Sequence, residues 1–479
     1  MQVVVMLNEN RQQRCLPIHE GRITPVDFLV FATIAFGHLI FLGWALWGIF
    51  SLQDGLIGTA GAIFRIVLPV FLFLLLLASL RLGRENRAVV ALCLVSCIAS
   101  LYLAEAYLEF TISQERKSQS AYDRRSKIEV IADYRKQGVD AYPVMRAKTL
   151  LLKDANSKLT PVLGTDAFLP LASMPNQRVV SCNEGGKWLT YDSDRHGFNN
   201  PDDVWSGKAP SIVLLGDSFA HGSCVAPQDN IAGQLRPAVG NTLSLGVSGF
   251  GPLSMLAALT EYAEPLRPPH VFWLFFEGND LVEDLAFERQ APILVAYLEE
   301  KDFRQNLIER SPELKMRLKA YLDERLVEAM ARFDNPHEKL LDFLQLFHLR
   351  ERFGLGILSL GLADPKDLNE QSRYFHRVLN HARQKVGGWG GELVLVYLPE
   401  SARYFAAEQN GDLRRRIHEA VLETAGSLNI PVIDIADVFK RDENPGRFFV
   451  YPGSHYNEAG YGQVAAAIKD YLQSAKKAR

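Results

Sequence analysis

Pro210–Gly222 reads PSIVLLGDSFAHG. Its Ser211–Leu215 is a short apolar, β-branched run of the kind that forms a strand buried on both faces of a parallel sheet. Gly216 breaks the run, and Ser218 stands in the turn where such a strand hands over to a helix. Ligands of open parallel sheets bind beyond the carboxyl ends of the strands, so a hydroxyl there is placed for chemistry. The plainer alternative is that Ser218 caps the next helix while Asp217 shapes the turn.

Downstream, strand-like runs recur at Thr242–Gly246, His270–Phe276, Leu393–Leu398 and Pro431–Ile435, separated by segments long enough for helical crossovers. Amphipathic stretches such as Asp412–Leu428 lie between some of them. Strands alternating with helices predict a three-layer α/β/α sandwich around a five-stranded parallel sheet, within residues 161–479. Polar residues follow four of the five runs. Ser218 follows the first, and SLGVSGFG with Gly249 the second. FFEGNDL, with Gly278, Asn279 and Asp280, follows the third. A loop beyond the fifth leads to YPGSHYNEAGY, where His455 precedes a final helix over Ala459–Leu472. Gly249 lets a backbone N–H approach a ligand, and the Asn279 amide is a donor. Residues 282–361, dense in Glu, Lys, Arg and Leu at helical spacing, read as a helical insertion that caps the site or decorates the surface away from it.

The amino-terminal part is different. The chain has 479 residues, 48% hydrophobic, with net charge -3, too balanced for a disordered or nucleic-acid-coating protein. Three apolar stretches, Asp27–Phe50, Thr59–Leu80 and Ala88 to about Ala104, each reach or approach the ~20 residues that cross a hydrocarbon core. FLFLLLLASL, residues 71–80, is apolar all round, whereas a soluble helix keeps a polar stripe. Three transmembrane helices are therefore expected over residues 27–110, after a cytoplasmic tail over 1–26. Arg11, Arg14 and Arg22 precede the first span and Arg81, Arg84 and Arg87 follow the second, while Ser51–Gly58 has no Lys or Arg. This asymmetry puts the tail inside and everything beyond Phe110 outside. Residues 111–160 read as a juxtamembrane helix and linker. Cys182 and Cys224 alone belong to the large domain; they form either a disulfide tethering a loop beside the Ser218 turn or two unpaired core residues. Asp192, Asp194, Arg195, His196, Asn199 and Asn200 read as solvated turn chemistry, since no metal-ligand spacing accompanies them.

GDS, a downstream glycine, GND and a carboxyl-terminal His together resemble the four blocks of the SGNH or GDSL hydrolases, from about Pro210 to the end. Residue by residue, the resemblance implies Ser218 as nucleophile and His455 as general base. The Ser218 and Gly249 N–H groups, with the Asn279 side chain, would form the oxyanion hole. Family members usually carry an Asp three residues before the His, where this chain has Pro452. Either a backbone carbonyl of Pro452 or Tyr451 then orients His455, or a carboxylate from elsewhere does, with Asp442 and Glu443 near in sequence; otherwise the site is impaired. The resemblance implies a serine esterase in a bacterial cell membrane, multi-pass, with its catalytic domain in the periplasm or outside. It would remove acetyl or other acyl groups from an envelope glycan or lipid, without metal or organic cofactor and without nucleic acid. An O-acyltransferase working with envelope-polysaccharide biosynthesis partners, and a glycan-binding scaffold with a degenerate site, are the alternatives.

Overall fold

The computed structural model describes residues 25–52, 68–117, 122–335 except 124, 155–157, 164–167 and 208, scattered positions between 340 and 349, and 368–478 except 406–410. Two compact units are present: residues 1–109 with 342–362, and residues 110–341 with 363–479. The tail over 1–26 lies almost wholly outside the described residues, as do the start of the second apolar stretch and most of residues 335–361.

In the first unit, helices run over Pro25–Leu52, Leu68–Ser79 and from Arg84, the last continuing to Lys117. Ile34, Leu76 and Ala91 form a small core. A side chain on Gly37 would collide with Leu76 and Leu94, so these helices meet at close range there. Large apolar side chains point outward instead, among them Phe28, Leu29, Leu92 and Leu103. Among the described residues one helix, Glu85–Thr111, is long and apolar enough to cross a membrane; Phe28–Leu39 and Pro69–Ser79 are shorter apolar helices. Glu105, in the helix from Arg84, is buried and accepts the Leu349 N–H.

The second unit is built on five parallel strands: β1 Ile212–Leu215, β2 Thr242–Ser244, β3 His270–Phe276, β4 Glu392–Leu398 and β5 Val432–Asp434. Their spatial order is β5-β4-β3-β1-β2, with every pairing parallel. Alternation along each strand sends side chains to opposite faces. Val213, Val271, Trp273, Phe275, Leu395 and Tyr397 join one core with the helices Pro252–Ala258, Leu368–Gly388 and Gly411–Ser427. Leu214, Phe272, Leu274, Val394 and Val396 join the other with Ile231–Val239 and Glu458–Ala478. Helices thus cover both faces. The order reverses between β1 and β3, a switch point of the kind that holds ligands.

Two segments depart from the sequence reading. Residues 127–143, read as part of a linker, contribute Val130, Ile131, Ala141 and Tyr142 to the core. The helix Lys127–Lys136 starts at a capping box in which Ser126 and Glu129 satisfy each other's backbone N–H groups. Ala141–Pro143 then pairs with Arg178–Cys182, which pairs in turn with Leu189–Asp192. The insertion's helix Ser311–Asp334 also buries Leu314, Leu318, Leu322 and Leu326 in that core. Spacing of charged residues had concealed a packed stripe.

Candidate active site

A cavity of about 350 Å³ opens beyond the carboxyl ends of β1 and β3. Ser218, Gly249, Asn279 and His455, the four residues singled out from the sequence, all line it. So do Arg146 and Lys148 from one loop, and Ser181, Cys182 and Glu184 from another. No described residue of 282–361 does so. The walls come from segments amino-terminal to β1 rather than from a helical cap.

Ser218 begins a one-turn helix, Ser218–His221, for which Asp217 is the cap, accepting the Phe219 N–H at 2.9 Å. The serine is thus the first helical residue and not the cap itself. Its Oγ lies 2.9 Å from His455 Nε2. On the far side of the imidazole, Nδ1 lies 2.7 Å from Glu184 Oε1, and the His455 backbone N–H donates to Glu184 Oε2 at 2.9 Å. One carboxylate therefore holds both the ring and the backbone of the histidine. Burial works to raise the Glu184 carboxyl, but hydrogen bonds and charge from His455 outweigh it, leaving its pKa below the ordinary value.

The acid was not among the residues named for this task from the sequence. Asp442 instead pairs with Arg447 at 2.6 Å, and the Tyr451 carbonyl accepts the Ser454 hydroxyl. Neither Pro452 nor Glu443 is a partner of His455 among the described contacts. Glu184 arrives because Cys182 and Cys224 are joined, with Cα atoms 5.1 Å apart. Cys224 lies six residues after Ser218, so the bond carries the 182–184 turn to the nucleophile's own loop. The open question about those two cysteines was thus also the signal for the acid.

Gly249 has φ +77, a conformation that L side chains rarely adopt, yet a Cβ there would touch only Arg146, at 4.0 Å. Backbone shape rather than lack of room calls for glycine. Gly246 is the opposite case: a Cβ would fall 2.3 Å from the His221 nitrogen, so it serves close packing at the strand end. Asn279 follows β3 in a turn tied down by Asp280, whose Oδ2 accepts the Phe276 N–H at 2.8 Å. The Lys148 ammonium is paired with the buried Asp284, which fixes the 146–148 loop against the segment after Asn279.

A buried polar chain supports the floor. His221 Nε2 meets the Tyr191 hydroxyl at 3.1 Å, and Ser223 bridges His221 Nδ1 and the Ser248 hydroxyl, each at 3.3 Å. Burial, followed by the charges of His455 and Lys127, pushes His221 down to about 4, so it stays neutral. The loop read as solvated turns is an internal brace. Asp194 accepts the His196 and Phe198 N–H groups, the Asn200 amide and the Trp205 indole, and burial holds its pKa up at about 6. Asn199 donates to the His221 carbonyl, closing the helix that starts at Ser218. These residues hold no site of their own.

Chemically, the arrangement sets a hydroxyl against an imidazole whose other nitrogen is hydrogen-bonded to a carboxylate, with Gly249 and Asn279 on the same cavity wall. Three solved structures are similar at low identity. A lipase/acylhydrolase from Enterococcus faecalis is similar at 15% identity, over 56% of this chain and 96% of that one, with TM-score 0.31. An acetyl xylan esterase is similar at 11% identity, over 55% and 98%, with TM-score 0.31. A two-domain esterase active on acetylated mannans is similar at 15% identity, over 58% of this chain and 52% of that one, with TM-score 0.27. No family model and no curated protein matches the sequence. At such identities the likeness says nothing of substrate.

Proposed function

We propose that the protein is a serine esterase of the SGNH type that transfers an acyl group from an ester to Ser218 and then to water. The observation that carries this reading is the continuous line Ser218 Oγ, His455 and Glu184, with both contacts under 3 Å. A serine hydroxyl becomes nucleophilic when a base within hydrogen-bond reach takes its proton. His455 takes it through Nε2 and later returns it to the leaving alcohol, while Glu184 fixes the tautomer and stabilises the imidazolium. The carbonyl oxygen, negative in the tetrahedral intermediate, is received by the Ser218 and Gly249 N–H groups and the Asn279 amide; each such donor is commonly worth about 10²- to 10³-fold. With Glu184 in place, the Pro452 departure no longer favours a degenerate scaffold.

The apolar helices support a membrane anchor, the three-span arrangement with the catalytic unit on the far side being the reading that the loop charges favour. Acyl groups on an envelope glycan or lipid are the substrates such a position would offer. A fluorophosphonate probe tests the core of the reading. Labelling of the wild type that disappears in Ser218→Ala and His455→Ala is expected; labelling that survives both changes would overturn it. Product analysis with and without a sugar acceptor separates hydrolysis from transfer.

A further inference from the structure

The cavity wall carries a positive charge that the serine chemistry does not use. Arg146 lines the cavity and is exposed, and its Cβ lies 4.0 Å from the position a Cβ would take on Gly249, directly beside the oxyanion loop. Among the described residues its guanidinium has no acceptor, ion pair or aromatic ring. The other charged groups at the site are spoken for: Lys148 by Asp284, Glu184 by His455, and Asp217 by the Phe219 N–H. Lys127 likewise has no carboxylate partner among the described residues, its ammonium lying 5.9 Å from the Trp188 ring centre. Burial, and then the charge of Arg146, lowers Lys127 to about 8, so the two cations feel each other. An unpaired guanidinium on the cavity wall beside the oxyanion loop is a place that an anion completes. A guanidinium presents a planar fork that matches carboxylate and phosphate oxygens.

We propose that Arg146 receives an anionic group on the substrate, so that the esters turned over are those borne by acidic molecules, with either a carboxylate or a phosphate close to the acylated hydroxyl. This rests on the esterase reading and names its substrate class. With Arg146 beside the oxyanion loop, the charge it receives belongs to the same substrate molecule as the scissile ester. A neutral acylated sugar enters the same cavity without this contact.

The test compares three acetylated substrates on the full chain: a methyl glucuronoside, glucose 6-phosphate and a methyl glucoside. The wild type is expected to prefer one or both anionic esters, the preferred one identifying carboxylate or phosphate as the ligand. In Arg146→Ala the ratio of anionic to neutral kcat/KM falls roughly 10- to 100-fold, the range of a charge-assisted hydrogen bond, and Arg146→Lys recovers part of it. Rising salt lowers the wild-type ratio and leaves that of the variant nearly flat. Ratios that are equal in wild type and variant overturn the proposal. Calorimetry of the deacetylated glucuronoside and of glucose 6-phosphate with Ser218→Ala separates the two readings. Anion binding that is lost on adding Arg146→Ala, together with a wild type that takes no fluorophosphonate label, keeps the anion site and removes the esterase. A labelled protein that binds neither anion better than the glucoside keeps the esterase and removes the site.

Discussion

Glu184→Gln preserves the shape of the acid and removes its charge. The carboxylate receives two N–H groups of His455, at 2.7 and 2.9 Å, and during reaction it faces an imidazolium about 4 Å away between charge centres. At an effective dielectric constant of about 20 that attraction is near 4 kcal/mol, and both side chains are about a fifth to a quarter exposed, which trims it. A loss of about 2–4 kcal/mol in the transition state corresponds to roughly 30- to 1000-fold in kcat/KM. Glutamine adds a second fault, because its NH2 can face Nδ1 and favour the wrong tautomer. Stopped-flow acylation with a p-nitrophenyl ester reads the effect, which should fall chiefly on kcat. A thermal melt of the same protein checks that folding is intact, and Glu184→Asp should recover part of the rate. A Glu184→Gln enzyme within about twofold of wild type, with an unchanged melt, would refute the acid's role.

Other perturbations follow from the same geometry. Asn279→Ala should lower kcat/KM by about 10²- to 10³-fold in the same assay, and an undiminished rate would remove the amide from the oxyanion hole. Gly249→Ala has room for its methyl group but not the backbone conformation; a cost of about 1–2 kcal/mol is expected in denaturant melts, with a rate loss as the N–H shifts. Replacing Cys182 and Cys224 by serine opens a loop spanning 42 residues, for which the chain-entropy model gives about 4 kcal/mol of lost stability; an equally stable variant contradicts it. Asp284 is held up at about 8 by burial, so its share of stability is intact at acidic pH and is lost as pH rises from its unfolded value, near 4, through about 8. Melting temperature should therefore decline over that window and decline less in Asp284→Asn, despite the lost Lys148 contact; parallel curves for the two proteins tell against this.

The fold was legible where one period dominates. His270–Phe276 was read to the residue, and Leu393–Leu398 and Pro431–Ile435 to within one at each end, because strands buried on both faces write continuous apolar runs. The three-stranded sheet of Ala141–Pro143, Arg178–Cys182 and Leu189–Asp192 went unseen: its strands are three to five residues long, too short to show an alternation. In the site, Ser218, Gly249, Asn279 and His455 were visible as residues that follow strands. Glu184 was not, since the short strand it follows, Arg178–Cys182, was itself unseen and its partner is 271 residues away. The insertion misled for a related reason. Charge density on Ser311–Asp334 advertised an outer face, while the leucines at helical spacing found the core.

The cystine at 182–224 makes the assembly of the catalytic line conditional. Ser218 and His455 are delivered by the sheet, but the third member is laced in by a bond that thiol-keeping surroundings undo. A newly made copy would remain a safe precursor, folded yet unarmed, until an oxidant closes that link. On the esterase reading, the place where that bond forms then sets the place where Ser218 becomes active.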